Sequence, residues 1–181
     1  IPAIKSFDEE GIVMYAGSFS KVVSPGMRIG YAIGPKAVIQ KMVVCKQGED
    51  VHSNIWAQIV CHRFMTQYDY EAHLRRLQEI YARKSQILLQ AMEEHLAPLV
   101  TWSKFQGGLF AWCTLPETID MLAFVKKAME RKVCVVPGTA FLTDENAPCS
   151  SFRINFSTPT DEQLVKGIQI LGETAKEMNC K

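Results

Sequence analysis

A short segment near the start of the chain carries four side chains that together could bind a phosphorylated carbonyl compound. Ser18, Ser20 and Lys21 lie close together, and Arg28 follows inside a Pro-Gly-Met-Arg-Ile-Gly stretch. A lysine amine condenses with aldehydes and ketones, whereas hydroxyls and the planar, permanently charged arginine fork suit a phosphate. Taken singly, such residues are most often solvated lysines, ion-pairing arginines and turn hydroxyls. The prediction of a binding site therefore depends on all four residues occurring together in one short segment.

The sequence around this segment predicts the elements that position it. Residues 12–15 are apolar and predict a short buried strand, and residues 29–33 predict a second apolar strand. The reactive side chains would then lie at the carboxyl end of a strand, where α/β proteins bind their ligands. An aldehyde and a phosphate on one ligand would suit the lysine, the hydroxyls and the arginine together. The segment thus suggests pyridoxal 5′-phosphate (PLP) as a cofactor.

Residues 15–34 closely resemble the cofactor-lysine segment of fold type I, class I/II aminotransferases. The likeness is greatest to the branch that holds 2-aminoadipate, kynurenine and multi-substrate aminotransferases and the aminotransferase-like half of MocR-type regulators. Three later segments match that family in the same order and spacing. Residues 106–112 resemble the Gly-Gly strand of its small domain, and residues 135–141 resemble the loop after the next strand. Residues 152–157 resemble the strand whose arginine holds the substrate α-carboxylate, so the resemblance covers nearly the whole chain.

The resemblance implies a role for each candidate residue. Lys21 would form the Schiff base with PLP and, once the substrate amine displaces it, act as the base that moves the α-proton. Ser18, Ser20 and Arg28 would bind the phosphate, and Arg153 would bind the substrate carboxylate as a bidentate pair. Two plainer interpretations stay open. The hydroxyl of Ser18 could bond its own turn, and Arg153 could simply point to solvent from an apolar strand.

The same resemblance implies the fold and the assembly. The fold class would be α/β, the C-terminal part of a fold type I PLP-dependent transferase. Residues 1–68 would be the tail of the PLP-binding large domain, and residues 69–181 the small α/β domain. Because the chain begins without Met and family members are longer, we expect a C-terminal half that is inactive alone. Members of the family are typically homodimers, so the full-length protein is expected to be one.

Composition narrows the possible partners and compartments. The 181 residues are 48% hydrophobic and 22% charged, with a formal net charge of +1 and no basic block, which predicts no nucleic-acid partner. No apolar run approaches the ~20 residues that span a bilayer, so no membrane partner is expected. The six cysteines lack metal-site spacing and favour a reduced, cytoplasmic protein. The histidines are interpreted as structural or exposed, and no metal is predicted: His52, His62, His73 and His95.

Periodicity predicts three helices before residue 98, over 36–46, 54–67 and 70–96. Ser53 is the expected N-cap of the second helix, whose apolar side chains Ile55, Ile59 and Phe64 would form its buried face. The third helix has an apolar side and a charged side. The charged side is expected to be solvated and consists of Arg75, Arg76, Glu79, Arg83 and Lys84.

After residue 98 the pattern alternates between strands and helices. Strands are predicted over 99–103, 109–114, 134–136 and 151–156. A helix is predicted over 118–131, opened by Pro116 and Thr118, and a last helix begins with Thr160 as N-cap and Gln163 completing a capping box. Asn155 would share a strand face with Arg153 and could support it. This order suits a small α/β lobe with helices on one face of a sheet.

The leading hypothesis is a PLP-dependent aminotransferase that moves an amino group from an amino acid to a 2-oxo acid by a ping-pong route. The same residues also fit a PLP-dependent β-elimination or decarboxylation. A third hypothesis is the effector-binding half of a MocR-type regulator, and a fourth is a structural domain without cofactor, in which Lys21 would be freely replaceable. Aromatic, 2-aminoadipate and branched-chain substrates all remain open.

Overall fold

The computed structural model describes residues 2–144 and 147–180, and it divides into two compact units. The N-terminal unit is Ile1–Leu77, and the C-terminal unit is Gln78–Lys181. The elements of the N-terminal unit are β1 Tyr15–Ser18, β2 Gly30–Ile33, α1 Lys36–Glu49, α2 Ile55–Gln67 and the first two turns of α3 Tyr70–His95. The remainder of α3 belongs to the C-terminal unit.

The strands of the N-terminal unit form an antiparallel pair with Tyr15 opposite Ile33 and Ser18 opposite Gly30. The strand predicted over 12–15 is therefore wrong in position, because pairing starts only at its last residue. The amides of residues 12 and 13 instead donate to the carboxylate of Asp8, each at 3.0 Å. These hydrogen bonds close a turn and use the backbone donors that a strand would have needed.

The helices of the N-terminal unit differ from prediction at their ends and in their buried face. Helix α1 continues past residue 46 to Glu49, and an ion pair of 2.7 Å between Lys46 and Asp50 supports its last turn. Helix α2 is capped by Asn54, not Ser53, because the Asn54 carboxamide accepts the Ala57 amide at 3.2 Å. Its buried residues are Ala57 and Cys61, whereas the predicted face members at 55 and 59 are exposed.

Helix α3 is close to its predicted extent, but one of its charged residues is misassigned. Lys84 is buried, since its amine donates to the carbonyl of Pro159 before the last helix. Its neighbour Arg83 pairs with Asp161 in the first turn of that helix, and this pairing lowers the pKa of the Asp161 carboxyl. The charged side of α3 is thus partly a contact surface within the C-terminal unit and not wholly solvated.

The C-terminal unit contains a four-stranded antiparallel sheet in the order β3-β4-β6-β5. Its elements after α3 are β3 Thr101–Trp102, β4 Phe110–Thr114, α4 Met121–Glu130, β5 Val136–Pro137, β6 Ser151–Asn155 and α5 Asp161–Asn179. Strand β3 is shorter than predicted, and β5 begins later in the chain than predicted. In each case only two residues pair with the neighbouring strand. As predicted, the helices pack on one face of the sheet, where its alternate side chains join their core: Ala111, Cys113, Phe152 and Ile154.

Helix starts in the C-terminal unit follow side-chain capping. Helix α4 begins three residues after the predicted start, because the carboxylate of Asp120 caps it by accepting the Ala123 amide at 2.6 Å. The capping box of α5 is confirmed, since the Thr160 hydroxyl and the Gln163 side chain bond each other's backbone amides. Among the described residues, no helix combines the length and apolar character required to cross a bilayer.

Candidate functional site

The lysine loop, residues 19–29, connects β1 to β2. The two strands close it at their last pair, Ser18 opposite Gly30, and the Phe19 amide adds one further bond to the Ile29 carbonyl at 3.1 Å. The antiparallel pairing therefore closes the loop at its base. Ser20 directly follows Phe19 and Arg28 directly precedes Ile29, so these two residues flank the closing contact, and Lys21 lies one residue further into the loop.

Inside the loop, the backbone turns around a single carbonyl. The Phe19 oxygen accepts the amides of Val22 at 3.3 Å, Val23 at 2.8 Å and Ser24 at 3.2 Å. Lys21 lies within this turn, and its side chain is exposed. The fixed turn thus holds the Cα of Lys21 while it leaves the amine free to reach a ligand.

The two serines of the site differ in what their side chains do. The Ser18 hydroxyl oxygen accepts the Ser20 amide at 3.1 Å, so it makes the turn hydrogen bond considered for it from the sequence. This bond uses an acceptor lone pair, and the hydroxyl proton of Ser18 can still be donated. Ser20 itself is half-buried in the loop.

Arg28 has an uncommon backbone conformation. It follows the short 3₁₀-helix Pro25–Met27 and has φ 54° and ψ 39°, in the left-handed region that non-glycine residues seldom adopt. Its guanidinium donates to the Pro25 carbonyl at 3.2 Å and is otherwise directed to an exposed surface. Strained backbone of this kind collects at ligand-binding sites, where surrounding contacts maintain it.

A small apolar cluster supports the loop. Ile29 is buried with two residues of α2, Ala57 and Cys61, and side chains of the loop pack against them: Phe19, Val23 and Met27. A glycine precedes the loop at position 17, because a Cβ there would fall 2.5 Å from the hydroxyl oxygen of Tyr31. A hydrogen bond with the Tyr15 hydroxyl raises the pKa of Tyr31.

A histidine from α3 also contacts the lysine loop. The Nε2 atom of His73 lies 2.8 Å from the carbonyl oxygen of Val22, the residue after Lys21. No sequence pattern singles out this histidine, because its partner is a main-chain atom 51 residues away. It is the side chain near Lys21 that reasoning from the sequence missed.

Arg153 lies in the C-terminal unit, on the face of β6 that is turned away from the helices. Its guanidinium carbon is 4.0 Å from the centre of the Phe110 ring and 4.8 Å from that of Phe141. The Nε atom is buried and lacks a hydrogen-bond partner within the described chain. A buried donor without a partner is costly, so this atom could donate to an acceptor supplied from outside the described chain.

The aromatic side chains around Arg153 come from two separate segments. Trp112 lies directly across from Arg153 on β4, and its ring meets Phe141 edge-on with centres 5.3 Å apart. The two-residue period of β4 places Phe110 on the same face as Trp112. The sequence could therefore have shown that these two aromatic side chains share a face, but not that Phe141 joins them. Asn155 shares the face, but its carboxamide oxygen accepts from the Ser157 amide and hydroxyl, each at 2.8 Å.

The donor set on the lysine loop suits a phosphorylated aldehyde. Lys21 supplies an amine on an exposed, well-defined turn, and Arg28 supplies a guanidinium. The hydroxyls of Ser18 and Ser20 add two neutral donors beside them. Phosphate oxygens accept from such a mixed set, and an aldehyde carbon is the natural electrophile for the amine. The residues present therefore fit PLP.

Comparison with known proteins places the chain among aminotransferases. The family model for aminotransferases of class I and II matches residues 2–171. The chain is 36% identical over 177 residues to aromatic-amino-acid aminotransferase 1 of Thermococcus litoralis, a match that covers 98% of the chain and 42% of that protein. It is also 31% identical over 175 residues to an HTH-type transcriptional regulator of Bacillus subtilis, YdfD, covering 97% of the chain and 36% of that protein.

Solved structures agree with the sequence matches. A kynurenine aminotransferase from Pyrococcus horikoshii, crystallised with PMP, superposes with a TM-score of 0.90 at 36% identity, covering 96% of the chain and 43% of that protein. A second match is LysN, an α-aminoadipate aminotransferase from Thermus thermophilus crystallised with a phosphopyridoxyl-leucine. Its TM-score is 0.93 at 29% identity, and the match covers 99% of the chain and 46% of LysN. The chain thus spans less than half the length of the proteins it matches.

Proposed function

This chain belongs to the class I and II aminotransferase family, and we propose that it is part of a PLP-dependent aminotransferase acting on an amino acid and a 2-oxo acid. Its α/β fold is that of the C-terminal part of a fold type I transferase, as the resemblance implied. The observation that supports the proposal is the lysine loop, which the β1–β2 pair closes inside the matched residues and on which Lys21 and Arg28 are both exposed.

On the cofactor side, each residue of the lysine loop has a proposed role. When bound, PLP supplies an electron sink for the bonds at the substrate Cα. The Nζ atom of Lys21 would hold the cofactor through its aldehyde and, once free again, would take the α-proton of the substrate. Arg28 balances the phosphate charge, and the hydroxyls of Ser18 and Ser20 donate to phosphate oxygens. The hydrogen bonds to the Phe19 carbonyl hold Lys21 in place during these transfers.

On the substrate side, Arg153 binds the α-carboxylate. The guanidinium already has its carbon against two aromatic rings, and its buried Nε has no protein partner within the described chain. A carboxylate that accepts from Nε and one terminal nitrogen would make a bidentate pair. Such a pair fixes the orientation of the amino acid and thereby selects which Cα bond reacts.

Trapping with borohydride tests the cofactor site. The protein that carries this chain is incubated with PLP, reduced and mapped by mass spectrometry. We expect one pyridoxyl group on Lys21, its loss in Lys21→Ala and its retention in Lys41→Ala, a matched exposed lysine of the same unit. Labelling that scatters over surface lysines, or that persists at full yield in Lys21→Ala, would contradict the proposal.

The reaction type needs a separate assay. Amino transfer requires a 2-oxo acid as second substrate, whereas elimination and decarboxylation release products without one. We expect sustained consumption of the amino acid only when a 2-oxo acid is present. Without a 2-oxo acid, no more than one equivalent per cofactor should be consumed, as the cofactor accumulates in its amine form. Release of ammonia or carbon dioxide without a 2-oxo acid would favour the lyase alternatives.

The whole activity is proposed for a protein longer than this chain. The chain covers 42% of its aromatic aminotransferase relative, and we propose that it does not transaminate alone. We further propose a homodimer in the cytoplasm. Exposed apolar side chains on α2, above all Trp56 at 70% exposure, are consistent with packing against further polypeptide. All six cysteines are free thiols, as a reducing compartment would keep them.

A regulator is the second candidate function, and the similarity to YdfD favours it. In that case the same fold would bind PLP to sense an amino compound, and a DNA-binding segment would belong to the whole protein. Sequence-specific DNA binding by the full-length protein, together with absent amino transfer, would support this alternative. Steady turnover of amino acid with a 2-oxo acid would exclude it.

A further inference from the structure

His73 reaches the lysine loop from the first turn of α3. Its Nε2 atom is 2.8 Å from the Val22 carbonyl oxygen, and a carbonyl oxygen can only accept, so Nε2 carries the proton and donates. The carboxylate of Asp69 caps α3 by accepting the Ala72 amide at 2.8 Å, which fixes where the helix starts. The histidine therefore reaches the loop from a well-defined helix start.

The bond from His73 is distinct from the bonds that the loop makes with itself. The internal amides of the turn converge on the Phe19 carbonyl. The Val22 carbonyl, which follows Lys21 directly, receives its donor from α3 instead. His73 thus joins the turn that carries Lys21 to a helix outside the loop.

Aromatic packing fixes the imidazole in this position. The ring of Phe64, on α2, meets the His73 ring edge-on at 90° with centres 5.0 Å apart. Phe64 in turn stacks with Tyr68 at 5.9 Å. The imidazole is thereby packed against a side chain of a second helix, so little rotational entropy is lost when the bond forms.

We propose that His73 is a positioning residue for Lys21, holding the lysine turn through the Val22 carbonyl so that the amine meets the cofactor aldehyde in one orientation. The inference rests on the proposed function, in which Lys21 binds PLP. It assigns a role to a residue that touches neither cofactor nor substrate. Its effect should appear as the order of the turn and the rate of imine formation, and not as a change of reaction type.

Three substitutions separate the hydrogen bond from the packing. His73→Phe keeps a ring against Phe64 but removes the donor. His73→Gln places an amide nitrogen close to the Nε2 position, whereas His73→Asn is equally polar but too short to reach Val22. His62→Gln, an exposed histidine of α2, is the matched control.

The first measurement is hydrogen exchange of residues 19–24 in the cofactor-free protein that carries this chain. We expect exchange about three- to tenfold faster in His73→Phe and His73→Asn, the change that one ordinary hydrogen bond produces, and near wild type in His73→Gln and the control. The second is the rate of Lys21 labelling after addition of PLP, which should fall by a similar factor in the same two variants. Unchanged exchange and labelling in His73→Phe would overturn the inference.

Two outcomes distinguish this inference from the function on which it rests. If wild-type protein forms no Lys21 adduct, the PLP proposal fails, while the exchange data still show whether His73 holds the turn. If Lys21 is labelled but exchange rises equally over α1, α2 and the loop in His73→Phe, His73 serves general packing. That second result would overturn the positioning role.

Discussion

Replacing Arg153 by methionine separates a substrate-binding arginine from a structural one. Methionine has a similar length and would keep the two rings covered. The substitution removes a buried Nε donor that has no partner within the described residues. Removing such an unpaired donor should raise the free energy of unfolding by about 1–3 kcal/mol. It also removes two ring contacts of the guanidinium, each worth about 0.5–1 kcal/mol at a partly exposed site. The expected net change in the free energy of unfolding lies between a loss of about 1 and a gain of about 2 kcal/mol.

Denaturant unfolding followed by tryptophan fluorescence measures this change. Trp102 and Trp112 report on the C-terminal unit, and Trp56→Phe removes the signal from the N-terminal unit. Phe152→Ala is the control from the next position on β6. Its side chain is fully buried, so we expect a loss of about 3–5 kcal/mol. A loss as large as this in Arg153→Met would refute the reasoning and make Arg153 a structural residue.

Three further predictions concern packing, acid stability and thiol reactivity. Gly172→Ala should destabilise the C-terminal unit by several kcal/mol in denaturant unfolding, because the new Cβ would clash with the His95 carbonyl, whereas a wild-type midpoint would contradict that contact. The Arg131 guanidinium and a neighbouring lysine lower the pKa of Glu177 from 4.5 to about 2. Their ion pairs therefore stabilise above pH 4.5 and weaken as the pH falls toward 2, so the Tm difference between wild type and Glu177→Gln should shrink across that window. Burial raises the pKa of Cys113 to about 12. A thiol reagent at neutral pH should therefore spare Cys113 in native protein and label the exposed cysteines, Cys45, Cys134 and Cys180.

Local rules predicted the start of α5 well and the N-terminal strand badly. The α5 start followed from Thr160 and Gln163 alone, because a capping box is complete within four residues. The strand expected over 12–15 failed because the Asp8 carboxylate takes its amides. The hydrophobic pattern cannot reveal this competition. It reports which side chains are apolar, and not whether the backbone amides bond a neighbouring strand or a carboxylate.

The proposed cofactor residues could be singled out from the sequence because they lie close together along the chain, between positions 18 and 28. Their roles stay a prediction, and the antiparallel pair adds that the segment is a closed loop. The aromatic setting of Arg153 required the pairing of β4 with β6 and the position of Phe141. The bond from His73 to Val22 required a tertiary contact between α3 and the loop. Spacing shows that Phe110 and Trp112 share a face of β4, but it cannot show that either Arg153 or the lysine loop meets its partners, because those contacts depend on which segments pack together.

The two units differ in how they hold their proposed site residues. In the described chain, the C-terminal unit buries a cluster of nineteen residues, and Arg153 lies on a sheet whose other face belongs to that core. The buried cluster of the N-terminal unit comprises Ile29, Ala57 and Cys61, with partly buried side chains around them. Within the described chain, so small a cluster offsets little of the entropy of ordering the loop, and the hydrogen bonds to the Phe19 carbonyl and from His73 add to it. In this chain, one lost donor should consequently disturb Lys21 more than a comparable change disturbs Arg153.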